Sequence, residues 1–173
     1  MLTPNAIEYN RLCEKICIEP EDILDVANYT NSVIVKKGES DVICNGFANR
    51  LDLLKENVII NCRTEGSVRR CGGQGDILSG CMSVFIAWFF LHKYNGSLVD
   101  FNLCDVSNIG DLTVEQKLGL YQDRFEGFSL AAYSACAVTK YCSNLAFGKF
   151  GRSMTASDMI PFIHEAFEHY FEK

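Results

Sequence analysis

The segment from Gly66 to Leu91 constrains this chain more than any other. It reads Gly66-Ser67-Val68-Arg69-Arg70-Cys71-Gly72-Gly73-Gln74-Gly75-Asp76 and then runs without a charge from Ile77 to Leu91, ILSGCMSVFIAWFFL, up to His92-Lys93. Four glycines within ten residues free the backbone to turn sharply and to approach another group closely. The fifteen uncharged residues that follow predict a helix apolar on nearly every side, fully buried in a globular domain. A membrane span needs about 20 such residues, so no membrane association is expected.

The remaining elements surround that helix. Tyr9, Leu12, Cys13, Ile16 and Cys17 share one helical face after Asn5, a good amino-terminal cap. A second helix is expected over Glu19–Tyr29, with Pro20 in its first turn. The period then changes to that of strands at residues 32–36, 41–44 and 57–62, the first two joined by a turn at Lys37-Gly38-Glu39-Ser40. Residues 95–116 read as irregular and acidic, a surface loop or insertion. Helical spacing resumes over Phe128–Leu145, stopping near Gly148 and Gly151. A last helix should begin around Thr155–Asp158, placing Ile160, Ile163, Phe167 and Tyr170 on one face, with Pro161 in its first turn or at a bend. Central strands between flanking helices make the fold class α/β.

Length and composition set outer limits. The chain has 173 residues, 48% hydrophobic and 22% charged, which suits a single globular core and excludes a disordered chain. Sixteen basic against 22 acidic residues leave a net charge of −6, which argues against nucleic acid or an anionic membrane as partner. The nine cysteines show no CxxC pair and no zinc spacing, so they read as reduced thiols acting as small hydrophobes. No basic segment followed by an apolar core opens the chain, and the expected location is cytoplasmic or mitochondrial.

The glycine-rich loop carries the chemistry. The first amides of a helix have no partner within it, and with the helix dipole they attract phosphate. Gly66–Gly75 holds Arg69 and Arg70 and no acid. Asp76, at the helix start, would sit beside a bound phosphate and take a proton from an attacking hydroxyl. A tight turn before a helix, with Asp76 as a favourable first-turn acid, is the plainer alternative. The spacing fits neither a P-loop nor a dinucleotide fingerprint.

Gly-Gly-Gln-Gly-Asp followed by Ile-Leu-Ser-Gly resembles the anion-hole and catalytic-Asp motif of the ribokinase-like superfamily. The longer string from Arg69 to Gly80 resembles one branch, the eukaryotic ATP-dependent NAD(P)H-hydrate dehydratases. Three other segments agree in the same order: Leu2–Leu12 with that family's TPNxxEFxRL (Tyr for Phe), Lys37–Asp41 with its KGxxD turn, and Gly151–Ile160 with its GRSxTxSDMI stretch.

The resemblance implies a ribokinase-like three-layer α/β/α sandwich with a mainly parallel sheet. It also implies ATP-dependent dehydration of (6S)-NADHX or NADPHX to NADH or NADPH. Asp76 would be the catalytic base and Gly72, Gly73, Gln74 and Gly75 the anion hole. ATP would meet Lys37, Gly38, Glu39, Ser40 and Asp41 together with Gly66, Ser67, Val68, Arg69, Arg70, Cys71 and the anion-hole residues. The hydrated dinucleotide would meet Asn5, Ala6, Ile7, Glu8, Tyr9, Asn10, Arg11 and Asp76. Magnesium is expected on the nucleotide phosphates, with no residue assigned to a metal, and a homo-oligomer is left open. The family's strands before the TPN segment, and a GPGxG turn, have no counterpart, so residues 1–173 are expected to form the C-terminal portion only of one such domain. The 95–127 stretch is also longer and more acidic than the family leads one to expect. A ribokinase-like sugar or vitamin kinase, and a catalytically silent truncated fragment, are the alternatives.

Overall fold

The computed structural model describes residues 1–46, 59–93 and 114–172. Three strands, β1 (Val33–Lys36), β2 (Asp41–Asn45) and β3 (Ile59–Cys62), form one sheet in that order. Both pairings are antiparallel, with Val33 opposite Asn45 and Asp41 opposite Cys62. The described strands therefore depart from the mainly parallel sheet that the resemblance implied. The short β1–β2 turn at residues 37–40 reverses the chain, and two strands joined that directly can only run antiparallel. Among the described residues the parallel element is an isolated bridge from Leu2 to Ile34. There the Leu2 amide donates to Val33 O at 2.8 Å and Leu2 O accepts from the Val35 amide at 2.8 Å.

Strand alternation sorts β1 and β2 between two layers. Val33, Val35 and Ile43 enter one core with Leu78, Met82, Ala132 and Ala135. Ile34 and Cys44 enter the other with Tyr9, Cys13, Ile23 and Val26. Helices thus cover both faces of the sheet, the three-layer α/β/α arrangement. Helices α1 (Ala6–Ile16) and α2 (Ile23–Thr30) lie on one face; α3 (Gln74–Lys93) and α4 (Val114–Phe150) lie on the other. A helix α5 (Ile163–Phe171) closes a third cluster with Met154 and Met159. Each fully buried Ile or Val stabilises the fold by about 1.5–3 kcal/mol.

Asn5 caps α1 as its sequence position suggests. Its side chain accepts from the Ile7 and Glu8 amides while the Glu8 carboxylate accepts from the Asn5 amide at 2.7 Å, a reciprocal capping box. Cys17 is not on the buried face. It is the exposed, left-handed C-cap at φ 55°, one residue past the helix. Helix α2 starts at Ile23 rather than Glu19, because residues 19–22 close a turn in which the Asp22 amide donates to Glu19 O at 3.0 Å. Pro20 therefore precedes the helix.

Helix α4 runs 37 residues from Val114, so the stretch expected to be irregular is helical at its end. The rest of that stretch, and the expected start of β3 at 57–58, lie outside the described residues. Helix α4 continues through Gly148 and stops before Gly151, at φ 56°. Residues 157–162 form a 3-10 helix containing Pro161 before α5 begins. Three residues per turn shift the phase, so Met159 is buried while Ile160, expected on the inner face, is 57% exposed.

Helix α3 also departs from expectation. Leu78, Met82 and Phe90 are buried, but Val84 is 44% and Trp88 50% exposed. Its cover comes from α4, the sheet and, through the rings of Phe85 and Trp88 against Phe167, helix α5. With Gln74–Asp76 and His92–Lys93 included, its 20 residues are long and apolar enough to cross a membrane by length and composition.

Candidate active site

The β1–β2 turn, the glycine-rich loop and one side of α4 enclose a cleft of about 1060 Å³. Lys37, Gly38, Glu39, Ser40 and Asp41 form one wall. Gly66, Ser67, Val68, Arg70, Cys71, Gln74 and Gly75 form the opposite one. Asn5 reaches it from the start of α1, and Thr139, Lys140 and Ser143 from α4. Segments some thirty residues apart in the chain, singled out by sequence as nucleotide-contacting, thus face each other across one space.

Hydrogen bonds fix this geometry. Arg70 Nη2 donates to Gly38 O at 2.7 Å, joining loop to turn. The Gly38 amide donates to Asp41 Oδ1 at 2.9 Å, which folds the turn on itself. Ser40 Oγ donates to Cys62 O at 3.2 Å, holding the turn over β3. The Ser67 amide donates to Ser143 Oγ at 2.9 Å, seating the loop's first residues on α4.

The loop glycines differ in what holds them. Gly73 has φ +90°, a backbone region that L side chains rarely enter. A Cβ there would also stand 2.9 Å from the Cβ of Ala156. The fold requires this glycine. At Gly72 a Cβ would meet nothing within 4 Å, and at Gly75 it would meet only Lys37 Nζ at 3.6 Å. Packing does not demand those two.

The electrostatics favour an anion. Gly73 O accepts from the Asp76 amide at 3.1 Å and the Ile77 amide at 3.3 Å. The amides of Gln74 and Gly75 thus sit at the open, positive end of α3. The Lys37 ammonium lies against that end, adding charge of the same sign. Gln74 Nε2 is buried beside the cleft and finds no acceptor among the described residues. A buried donor without an acceptor costs about 1–3 kcal/mol, which a ligand oxygen would remove. Among the described residues no group of three or more His, Cys, Asp or Glu side chains gathers to hold a metal.

The structure does not bring every expected residue to this wall. Arg69, Gly72, Gly73 and Asp76 are exposed and outside the cleft lining. Asp76 stands in the first turn of α3, next to Gly75. Along α1, Ala6, Ile7, Glu8, Asn10 and Arg11 are exposed and Asn5 alone lines the cleft. Among the described residues Glu8 makes no ion pair with Arg11; its carboxylate serves the cap. Tyr9 corrects the sequence reading. It is fully buried, with Lys36 Nζ 4.3 Å from its ring centre, so its side chain belongs to the core and cannot touch a dissolved dinucleotide.

Sequence reasoning missed Lys140, Ser143 and Ala156. Lys140 and Ser143 lie in a segment legible only as helix, and contacts across more than seventy residues bring them to the site; Ala156 lies in the family-like 151–160 stretch, to which no site role was assigned. The 151–160 segment proves to buttress the loop. Thr155 donates its amide and hydroxyl to Asp158 Oδ2 at 2.8 and 2.7 Å, presenting Ala156 to Gly73.

Residues 1–165 match the sequence profile of the carbohydrate-kinase-type family described as NAD(P)H-hydrate dehydratase. Over 172 residues the chain is 44% identical to a protein of Pediculus humanus subsp. corporis, covering 99% of this chain and 48% of that protein. It is 33% identical to a Schizosaccharomyces pombe protein, covering 99% and 45%, and 34% identical to one from Mus musculus, covering 99% and 42%. All three relatives are named ATP-dependent (S)-NAD(P)H-hydrate dehydratase. The chain spans under half the length of each. With the motif order, the helix-covered sheet and the loop-to-helix cleft in agreement, this chain belongs to the NAD(P)H-hydrate dehydratase family.

Proposed function

We propose that the cleft binds ATP and that the chain carries the phosphoryl-transfer part of an ATP-dependent dehydratase acting on (6S)-NADHX or NADPHX. The observation that carries this reading is the convergence of Lys37, Arg70 and the open amides of Gln74 and Gly75 on one space. The names of the relatives supply the substrate class.

In this reading the nucleotide lies between the Lys37–Asp41 turn and the Gly66–Gly75 loop. Its γ-phosphate sits at the start of α3, where the Gly72, Gly73 and Gly75 amides and the Gln74 side chain receive the charge on the transferring oxygens. Magnesium, expected with ATP, would neutralise charge on the nucleotide phosphates, with no described residue assigned to hold it. Asp76 takes the proton of the C6 hydroxyl as that oxygen attacks the γ-phosphorus and ADP leaves. The C6–O bond of the phosphate ester then breaks with the ring nitrogen's electron pair pushing. Loss of the C5 proton restores the C5–C6 double bond of the dihydronicotinamide. Residues 5–11, apart from Tyr9, offer an exposed helical face for the hydrated dinucleotide.

Incubation with ATP and NADHX tests this reading. Appearance of NADH absorbance supports it. Phosphorylation of a sugar or of a hydroxymethylpyrimidine, with no NADH formed, would establish a kinase instead.

A further inference from the structure

We propose that Lys140 is a positioning residue for the nucleotide cleft. It holds the Lys37–Asp41 turn from helix α4 and so fixes that turn's distance from the glycine-rich loop. The inference rests on the reading of the cleft as an ATP site and adds a residue outside both nucleotide segments.

The Lys140 ammonium meets three acceptors on the turn. Nζ donates to Gly38 O at 3.2 Å and to Glu39 O, and lies 3.6 Å from Asp41 Oδ1. Two of its three donors are taken by turn carbonyls and the Asp41 carboxylate stands at ion-pair distance, so the charge is committed chiefly to the turn. Lys37, whose ammonium faces Gly75 instead, is the lysine of this wall that stays with the open helix end. The two lysines divide the work. One shapes the turn and the other meets the anion.

Burial gives the contact its weight. The Lys140 and Asp41 side chains are 12% and 7% exposed. Removing one partner of such a pair leaves the other charge buried and uncompensated, which is strongly destabilising locally. Asp41 Oδ1 is also the acceptor for the Gly38 amide, so disturbing the carboxylate reopens the turn at Gly38.

The same stretch of α4 also holds the loop. Ser143 Oγ donates to Lys140 O at 2.7 Å and accepts from the Ser67 amide. A Cβ on Gly66 would lie 3.3 Å from Ser143 Oγ and 3.4 Å from Lys140 Cγ, so the loop's first glycine packs directly on this stretch. One rigid helical turn therefore touches both walls of the cleft.

The test compares the 173-residue chain with Lys140→Met, Lys140→Arg and, as a control, the exposed Lys149→Met. Backbone amide exchange is measured without nucleotide, then ATP affinity by calorimetric titration, then NADH formation at saturating ATP. Lys140→Met should speed exchange across residues 37–41 while the core of α4 stays protected. It should weaken ATP binding about tenfold and change kcat at saturating ATP by less than about threefold. Lys140→Arg, which keeps a cation near the turn carbonyls, should recover most of the affinity. Unchanged exchange at 37–41 overturns the proposal. So does a fall in kcat at unchanged ATP affinity, which would place Lys140 at the reacting atoms. Failure of the unaltered chain to bind ATP overturns the ATP-site reading instead, while the exchange measurement still decides whether Lys140 holds the turn.

Discussion

Gly73 and Ala156 stand so close that a Cβ on Gly73 would lie 2.9 Å from the Cβ of Ala156. This contact joins the anion loop to a segment more than eighty residues later, and it accounts for a conspicuous string, residues 151–160, that has no place in the cleft lining.

Gly73→Ala should therefore suffer twice. The φ of +90° imposes about 1–3 kcal/mol of backbone strain on a residue with a Cβ, and the methyl collides with Ala156. Adding Ala156→Gly should relieve the collision and leave the strain. Thermal melting of the single and double variants reads this out as partial recovery. Complete recovery, or none, would contradict the two-part origin.

Tyr9→Ala should destabilise the fold by about 3–5 kcal/mol, as expected for removing a large buried ring. Any effect on the hydrated dinucleotide should follow the loss of folded protein. Arg11→Ala, on the exposed face of α1, should leave stability within about 0.5 kcal/mol and raise the KM for NADHX. Denaturant titration beside steady-state kinetics separates the two. A KM effect confined to Tyr9 would reverse the assignment.

Asp158 ties stability to pH. The Thr155 hydroxyl and amide both donate to its carboxylate and hold its pKa below the ordinary 3.8. A folded pKa below the unfolded one gives stability that is fully present above the unfolded value and lost as pH falls through the folded one. Asp158→Asn should therefore lower the melting temperature near neutrality and lose that effect in acid below the folded pKa. Melting curves across that range check it; a deficit persisting in strong acid would point to another cause.

Much of this was legible in the sequence, and the limits have physical causes. The Asn5 cap, the β1–β2 turn and the loop-to-helix junction depend on neighbours a few residues apart, so local chemistry specifies them. The opposing walls of the cleft could be named but not placed, because Arg70 reaches Gly38 only through the tertiary fold. Lys140 looked like any helical lysine, and Tyr9 like part of a ligand-contacting motif. Burial at those positions is set by the sheet and by contacts far along the chain. Ile160 falls out of the inner face because the chain there winds at about 3.0 rather than about 3.6 residues per turn.

The eight described cysteines are free, and their environments should separate them chemically. Burial pushes the thiol pKa up to about 11 at Cys44 and about 12 at Cys142, which suppresses the reactive thiolate. Cys17 is exposed at the end of α1. Alkylation of the folded chain followed by peptide mapping should label Cys17 first and spare Cys44 and Cys142 until denaturant is added. Early labelling of Cys142 would contradict the packing around α4.

The claim that this cleft receives the phosphates of ATP is decided by equilibrium titration of ATP into the unaltered chain and into Gly75→Asp. Gly75 lines the cleft beside Lys37, and an acid there puts negative charge where the γ-phosphate should lie. The unaltered chain should bind ATP, and Gly75→Asp should lose at least about tenfold in affinity while showing the same far-ultraviolet circular dichroism. Equal affinity in the two proteins, or no binding by the unaltered chain, would contradict the assignment.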